Sequence, residues 1–276
     1  MLSDDEEFGQ SISLTAELHL LVRNYPRGLG VIKEFLQNAD DASASSLRVI
    51  ADWRQHSSDG LPKKEMSALQ RAALLFVNDR PFKDPDDFDR IQLISQSGKL
   101  RSGHKLGRFG LGFNTAYNIT DYPCFVSGSW FVCFDPHEEV VVVKKPAKKP
   151  GRRWRLEKLW QDHPAVLQPF IAAGLPDRCP NFDKTIFRLP LRDSDGAKHS
   201  DICQLPYEIS DFREMVEEAE KSGPSLLLFL KHVLTLEIGE IQSSSSEEVR
   251  PLLRFQTVNQ DDVKRMRGAI SAELSE

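Results

Sequence analysis

Three polar residues, Glu34, Asn38 and Asp41, occur at helical spacing within the segment VIKEFLQNADDA, Val31–Ala42. At about 100° per residue they fall on one narrow stripe of a helix, between an apolar arc and a solvent-facing arc that includes Asp40. A carboxylate and an amide one turn apart can hold a hard cation and position a water molecule. The same pattern also fits an ordinary surface helix with polar residues at the edge of its apolar face.

A second group lies in the stretch GRFGLGF, where Gly107, Gly110 and Gly112 form the pattern GxxGxG. Because glycine has no side chain, backbone N–H groups can converge there on an anion. A helix beginning near Phe113 would add the partial positive charge of its N-terminus. The glycine order differs from the dinucleotide-binding pattern GxGxxG, and no GK[ST] follows to make a Walker phosphate loop. A glycine-rich turn that closes a strand–helix junction is the alternative.

Two further positions depend on predicted strands. The apolar segment Ala73–Asn78 delivers Asp79 to a turn, where its carboxylate could accept hydrogen bonds from an adenine amino group. Asn and Asp favour turns in any case, so turn formation alone also explains this pair. Thr185 begins a later strand and could place its hydroxyl in a pocket, although this residue by itself is uninformative.

In combination and in this order, the motifs resemble those of the GHKL ATPase superfamily, which includes gyrase, heat-shock chaperones, histidine kinases and MutL. Within it, the chain is most similar to the sacsin group. EFLQNADDASAS is similar to that group's ELIQNADDAGAT, and GRFGLGFNTAYNITDYPCFVSG is similar to its GRFG-[IL]-GF-x-x-x-Y-x-ITD-x-P segment. The segments VNDRPF, FDPH and TIFRLPLR match as well. The resemblance covers about residues 8–241 and implies the Bergerat fold, an α+β, two-layer sandwich with a mixed, largely antiparallel sheet under helices.

The resemblance also implies a role for each matching residue. Glu34 would be the general base that activates water, and Asn38 would bind Mg²⁺ through its side-chain oxygen. Asp79 would read adenine, with support from Thr185. Residues 92–106 would form a mobile lid that includes Lys105. The other nucleotide-binding residues implied are Asp41, Lys99, Gly107, Gly110, Gly112 and Phe113.

The implied function is a chaperone-like module that binds ATP with Mg²⁺, possesses weak ATP hydrolysis or none, contacts client or partner proteins and forms a nucleotide-dependent dimer. One turn departs from the wider superfamily, because Asp79 is followed by Arg80, Pro81 and Phe82 where most members have DxGxG. Proline fixes the backbone and removes an N–H, and the two large side chains add bulk where a base must enter. A degenerate scaffold for protein–protein contacts, without nucleotide, therefore stays open as the alternative function.

Bulk composition restricts the class of protein. The chain has 276 residues, 40% of them hydrophobic, and a formal net charge of -5, which argues against a general nucleic-acid binder. Its start, MLSDDEEFGQ, lacks the apolar core of a secretory signal, and the apolar run Leu226–Leu230 is too short to span a bilayer. We expect a cytoplasmic protein whose four cysteines are reduced thiols. The basic run Lys144–Lys158, interpreted as a solvated loop, is the feature that would favour a nuclear location or nucleic-acid contact.

Short elements have to position these residues. The sequence predicts helices at Ser13–Tyr25, Gly30–Ala42, Glu65–Ala72, Asp84–Ile94, Phe113–Ile119, Phe212–Lys221 and Pro224–Val233. It predicts strands at Leu47–Trp53, Ala73–Asn78, Pro123–Asp135, Glu139–Lys144, Thr185–Leu191, Thr235–Ile241 and Leu252–Val258. The composition changes at Asp193, so we predict an ATP-binding domain over residues 8–193. Residues 194–276 would then be a linker and part of a second module.

Overall fold

The structure is a computed structural model that describes residues 13–25, 27–92, 112–142, 149–223, 225–242 and 248–258, together with Arg265. Lys99, Lys105, Gly107 and Gly110 lie outside these ranges, as does most of the predicted lid. Among the described helices, none combines the length and the apolar character that crossing a membrane requires.

One eight-stranded sheet organises the described residues. Its strands are β1 (Ser46–Asp52), β2 (Ala73–Asn78), β3 (Cys124–Gly128), β4 (Trp130–Phe134), β5 (Gly151–Arg155), β6 (Phe182–Pro190), β7 (Thr235–Ile241) and β8 (Arg250–Gln256). Their spatial order is β5-β4-β3-β6-β2-β1-β7-β8. All neighbouring strands pair antiparallel except β1 and β7, which are parallel.

Helices lie on both faces of this sheet. The α-helices of the described ranges are α1 (Leu14–Asn24), α2 (Leu29–Asp41), α3 (Asp86–Ile91), α4 (Leu156–Asp162), α5 (Gln168–Ile171), α6 (Ser194–His199), α7 (Ile209–Ser222) and α8 (Ser225–Leu228). Short 3₁₀ helices span Lys64–Gln70, Phe113–Asn118 and Pro164–Val166. On one face of the sheet, a core cluster packs α2, α7 and the 3₁₀ helix Phe113–Asn118 against the strands. A second cluster joins α4, α5 and the other two 3₁₀ helices to the opposite face.

The amphipathic pattern of α2 explains how it packs. Val31, Ile32, Phe35, Leu36 and Ala39 are buried against the sheet. The ring of Phe35 stacks on that of Phe76 in β2, with the centroids 4.0 Å apart. Each fully buried side chain of this size contributes about 1.5–3 kcal/mol. The helix that carries Glu34 and Asn38 is therefore held rigidly over β2.

The predicted fold class is confirmed: the protein is α+β, with a mixed, largely antiparallel sheet under helices. The predicted helix at Gly30–Ala42 and the predicted strands at Ala73–Asn78 and Thr235–Ile241 appear within one residue of their expected bounds. The elements after residue 194 share the sheet and its core, since β7 pairs with β1 and Phe212 of α7 is fully buried. A domain boundary at that point stays a prediction.

The prediction of a strand at Glu139–Lys144 is wrong for the part that the structure describes. The hairpin forms earlier, between β3 and β4. The buried carboxylate of Asp135 accepts the backbone N–H groups of residues 139–142 at 2.7–3.0 Å. Because these donors are bonded to one carboxylate, they are not available to a strand ladder.

The interpretation of the basic run Lys144–Lys158 as a solvated loop is wrong for its second half. Residues 151–155 form β5, which pairs with β4. Two of the arginine side chains stack on the ring of Trp130, with guanidinium carbons 4.3 Å (Arg153) and 3.9 Å (Arg155) from its centroid. Arginine stems and rings pack well together, so a basic segment can form a strand where an aromatic partner is present.

The solvent-facing position expected for Asp40 is also wrong, since this residue is 7% exposed. Its carboxylate accepts the backbone N–H groups of Lys231, His232 and Val233 at 2.9, 2.6 and 2.9 Å. These bonds hold the turn before β7. The helix α8 ends before these residues and covers only Ser225–Leu228 of the helix predicted at Pro224–Val233.

Candidate functional site

Glu34 and Asn38 of α2 face Gly112, which directly precedes the 3₁₀ helix Phe113–Asn118. A Cβ atom placed on Gly112 would lie 2.3 Å from the Glu34 Oε2 atom and 3.7 Å from the Asn38 Oδ1 atom. Only glycine lets the backbone come this close to both side chains without displacing the carboxylate. The Thr115 hydroxyl fixes the peptide by donating to the Gly112 carbonyl at 2.7 Å. The structure thus brings together three residues that sequence reasoning grouped as one site.

The chemistry of this trio suits a hard cation. Mg²⁺ takes oxygen ligands and is usually held by one or two protein oxygens together with substrate phosphates and water. Asn38 supplies an amide oxygen, and within the described ranges no hydrogen bond occupies its side chain. Glu34 supplies a carboxylate one turn away. In the same part of the chain, no group of three or more His, Cys, Asp and Glu side chains could hold a metal ion by itself.

Two other predicted residues at this end have different surroundings. Asp41 is exposed at the last position of α2, and partial desolvation together with the neighbouring Asp40 raises the pKa of its carboxyl. Phe113 is buried, and its ring lies 5.3 Å from that of Phe134 and 5.8 Å from that of Phe187. Only the backbone of Phe113 is therefore placed to meet a ligand. The predicted helix after it is a 3₁₀ helix of six residues, whose N-terminal partial charge is correspondingly small.

The other end of the site lies where β2 and β6 finish. The register pairs Asn78 with Thr185. Side chains alternate along a strand, and Phe76 packs on α2, so Asn78 at the end of β2 lies on the face of the sheet that α2 covers. Asn78 is 6% exposed, and its side-chain oxygen accepts the Arg80 backbone N–H at 3.0 Å. The sequence-based prediction did not include Asn78 as a site residue, although the alternation of side chains along β2 from Leu74 indicates it.

Asp79, the predicted reader of adenine, is engaged elsewhere. Its carboxylate accepts the backbone N–H of Ser45 at 2.8 Å and the Ser45 hydroxyl at 2.5 Å. The neighbouring Arg80 donates through Nε to the Ser43 carbonyl at 3.1 Å. The residues after β2 therefore fasten the connection between α2 and β1.

A relay of hydroxyl groups binds the same turn to the sheet. Thr185 donates to the Arg80 carbonyl at 2.7 Å, so the Ser127 hydroxyl must donate to Thr185 across their 2.7 Å contact. Ser127 in turn accepts the Phe82 backbone N–H at 2.7 Å. Both hydroxyl protons are thus used within the protein, and neither is left to donate to a base.

Phe82, whose backbone N–H donates to this relay, packs its ring among the aromatic side chains nearby. It is half-buried, and its centroid lies 5.0 Å from that of Phe125, 5.3 Å from that of Phe88 and 5.9 Å from that of Phe187. The turn after β2 consequently folds back over β3 and β6, and its own phenylalanine lies against their aromatic side chains.

Elements from late in the chain hold both ends of α2. At its N-terminus, the Leu29 N–H donates to the Glu218 carboxylate of α7 at 3.0 Å, next to Gly28, whose φ is 81°. At its C-terminus, Asp40 accepts the three amides before β7. The position of Glu34 and Asn38 therefore depends on residues that sequence reasoning assigned to a second module.

Comparison with known proteins places the chain in a family. A family described as "Sacsin domain" matches residues 11–252. Human "Sacsin" is 34% identical over an alignment of 246 residues, which covers 87% of this chain and 5% of that protein. The chain therefore spans only a small part of this relative's length. Among solved structures, the "N terminal domain of a DNA repair protein" aligns with 87% of this chain and 56% of that one, at a TM-score of 0.45 and 10% identity. No argument below rests on that last likeness.

Proposed function

The chain belongs to the Sacsin domain family, and from this premise we propose that it is a module that binds ATP together with Mg²⁺. It holds the nucleotide mainly through the triphosphate group. The observation that carries this proposal is the contact of Gly112 with Glu34 and Asn38. A cation bound to phosphate requires oxygen ligands and a backbone that can approach closely. Asn38 and Glu34 supply the oxygens, and Gly112 allows the close approach.

Each residue has a task in this proposal. Asn38 contributes one oxygen ligand to Mg²⁺, which would neutralise phosphate charge when bound. Glu34 would accept a proton from a water molecule whose oxygen attacks the terminal phosphorus as ADP leaves, which would give the module weak hydrolysis. Gly112 keeps the space between these side chains and the backbone. Lys99, Gly107 and Gly110 are the further phosphate contacts that the sequence motif implies.

At the base end, we propose that the residue beside the base is Asn78, one position before Asp79. Asn78, opposite Thr185, replaces Asp79 as the residue nearest to a bound base, because the Asp79 carboxylate is bonded to Ser45. The Asn78 oxygen is bonded to Arg80, so its amide N–H₂ is the group left to donate. With the Thr185 and Ser127 protons already used, little specific recognition of the base is expected.

A second candidate function is a scaffold that binds partner proteins without nucleotide. The observation that favours it is the turn at the base end, where Phe82 and the hydroxyl relay satisfy each other. In that case Glu34 and Asn38 are polar residues at the edge of α2 with no ligand. The two candidates differ in one measurable property, the response of the protein to Mg²⁺ and triphosphate.

Thermal unfolding of the whole chain with ATP at low millimolar concentration, with and without Mg²⁺, separates the two candidate functions. A ligand present at roughly 10 times its Kd raises the free energy of unfolding by about 1.4 kcal/mol. The proposal expects an upward shift of the melting temperature that needs Mg²⁺ and disappears in Asn38→Ala. Gln37→Ala is the matched control, because it removes a neighbouring amide from the same helix, outside the stripe.

The outcomes are distinct. A shift that survives in Gln37→Ala and is lost in Asn38→Ala supports the nucleotide site. An unchanged melting temperature for the wild-type protein with both nucleotide and Mg²⁺ favours the scaffold. Equal shifts in the two variants would remove Asn38 from the site.

A further inference from the structure

The strand β5 forms one edge of the sheet among the described residues, since β4 is its neighbour and the spatial order ends there. The hydrogen bonds at its two ends fix which backbone groups face β4. Asp135 donates its N–H to the Pro150 carbonyl at 3.3 Å, and Leu156 donates to the Ser129 carbonyl at 2.9 Å. In an antiparallel pair, such bonded positions alternate with positions whose N–H and C=O face away from the partner.

Residues 150, 152, 154 and 156 therefore bond towards β4. Gly151, Arg153 and Arg155 turn their backbone N–H and C=O groups outward, away from the sheet. An outward row of this kind is a template for another extended chain, because each donor and acceptor can pair with a new strand.

The side chains along this row are basic and partly ordered. Arg153 and Arg155 lie on one face of β5 with guanidinium groups over Trp130, and both are exposed. Asp84 helps to hold the cluster, since it accepts the Trp130 Nε1–H at 3.0 Å and lies 3.7 Å from Arg153. Stacked guanidinium groups keep most of their N–H donors free, so little side-chain freedom is lost when they bind an anion.

The charge of this edge contrasts with that of the chain as a whole. The net charge is -5, yet β5 contains Arg152, Arg153 and Arg155, and the sequence segment Lys144–Lys158 that includes it has eight Lys and Arg in fifteen residues. We propose that β5 is a docking edge that binds an extended, acidic segment of a partner protein as an added antiparallel or parallel strand. The outward backbone row supplies pairing, and Arg153 with Arg155 selects carboxylates spaced two residues apart on one face of the incoming strand.

A peptide strand fits this edge better than a polyanion does. Nucleic acid and anionic lipid offer acceptors to the arginines, but unlike an extended peptide they have no row of N–H donors at the spacing of the outward carbonyls of Gly151, Arg153 and Arg155. The negative charge of the remaining surface also opposes a partner of high and continuous charge density. The geometry therefore favours a ligand that pairs through its backbone and carries acidic side chains at alternate positions.

The test uses the full chain and a fluorescein-labelled heptapeptide of alternating valine and glutamate, followed by fluorescence anisotropy at about 50 mM salt, where exposed ion pairs are screened weakly. The expected result is saturable binding that fails with the alternating valine–lysine peptide. The same acidic peptide, N-methylated on the amides that would face β5, is expected to bind at least about fivefold more weakly, because one or two hydrogen bonds are lost. This comparison needs no protein variant.

Three variants separate the contribution of backbone hydrogen bonds to binding from the contribution of charge. Arg153→Ala removes a guanidinium and keeps the outward N–H, and a loss of about threefold is expected. Arg153→Pro removes the outward N–H as well, without touching a bond to β4, and a further loss of about fivefold is expected. Arg152→Ala is the matched control, because it removes the same charge from the opposite face of β5; its effect should stay below about twofold.

Two results would overturn the proposal. One is equal binding of the N-methylated and unmodified peptides, with Arg153→Pro no weaker than Arg153→Ala, because the edge would then act only through charge. The other is tighter binding of a DNA duplex or of vesicles rich in phosphatidylserine than of the acidic peptide. Circular dichroism of Arg153→Pro verifies that the sheet is intact.

Discussion

The two ends of the candidate site use their polar groups differently. At the phosphate end, Glu34, Asn38 and Gly112 converge, and the Asn38 amide is unbonded within the described ranges. At the base end, the Thr185 and Ser127 hydroxyls hold the protein's own turn, and the Phe82 N–H donates to Ser127. One end is arranged for an external partner, and the other has already satisfied its hydrogen bonds internally.

This difference has an energetic consequence. A ligand gains little from a donor that must first give up an internal partner, because breaking a bond of this kind costs about as much as the new one returns. A nucleotide would therefore be held mainly through phosphate and Mg²⁺, with weak selection of the base. The contrast can be broken by changing either end separately.

The largest effect is expected for Asp40→Ala, which releases the helix of the phosphate end. The buried carboxylate accepts three backbone N–H groups, and their loss should lower the free energy of unfolding by roughly 3 kcal/mol. Asp41→Ala is the matched control, since it removes the adjacent but exposed carboxylate and should cost less than about 0.5 kcal/mol. Urea unfolding measures both; equal losses would show that Asp40 does not anchor α2.

The next effect concerns Gly112→Ala. The new Cβ would displace the Glu34 carboxylate, which lies 2.3 Å from its position. A flexible side chain can move, so we expect little loss of stability but about a tenfold loss of Mg²⁺–ATP affinity, comparable to disturbing a metal site. In a Glu34→Ala background the same substitution should have almost no further effect, which a double-mutant cycle by calorimetry measures. Full additivity would contradict the contact.

A smaller effect of opposite kind is expected at the base end. Thr185→Val keeps the side-chain shape but removes the donor to the Arg80 carbonyl, which should cost about 1 kcal/mol of stability. Nucleotide affinity should stay within about threefold of the wild-type value, because the Thr185 proton is not offered to the ligand. A tenfold or greater loss in a calorimetric titration would mean that Thr185 contacts the base directly.

Local sequence signals predicted the elements that carry the site. The apolar run Ala73–Asn78 ends in Asn-Asp-Arg-Pro, and the periodicity of Val31–Ala42 is strong, so both elements appear where expected. Bonds from side chains to backbone N–H groups explain two of the failures. Asp40 is buried by amides about 190 residues away, and Asp135 removes the next segment from the sheet. No local pattern contains the partners of Asp40, and the same holds for Glu218 at the start of α2. The amides that Asp135 binds lie only 4 to 7 residues away, but hydrophobic periodicity carries no signal for a bond from a side chain to a backbone N–H.

The role of Asp79 stays a prediction, and its surroundings show what a motif leaves open. The motif locates the turn, but the strand pleat decides which of two neighbouring polar residues faces α2, and that residue is Asn78. Alternation along β2 carried this information in the sequence. The internal use of the Thr185 hydroxyl did not follow from any spacing, because it depends on Ser127 and Phe82 from separate segments.

The central claim is that binding energy resides at the phosphate end, and calorimetry of the same protein with Mg²⁺–ATP and with Mg²⁺–tripolyphosphate tests it most directly. The expected result is that both bind, with dissociation constants within about tenfold of each other, a difference of about 1.4 kcal/mol, and that Asn38→Ala weakens both. Binding of ATP more than about 100-fold tighter than tripolyphosphate, a difference of roughly 2.7 kcal/mol, would contradict the claim, as would heat from neither ligand.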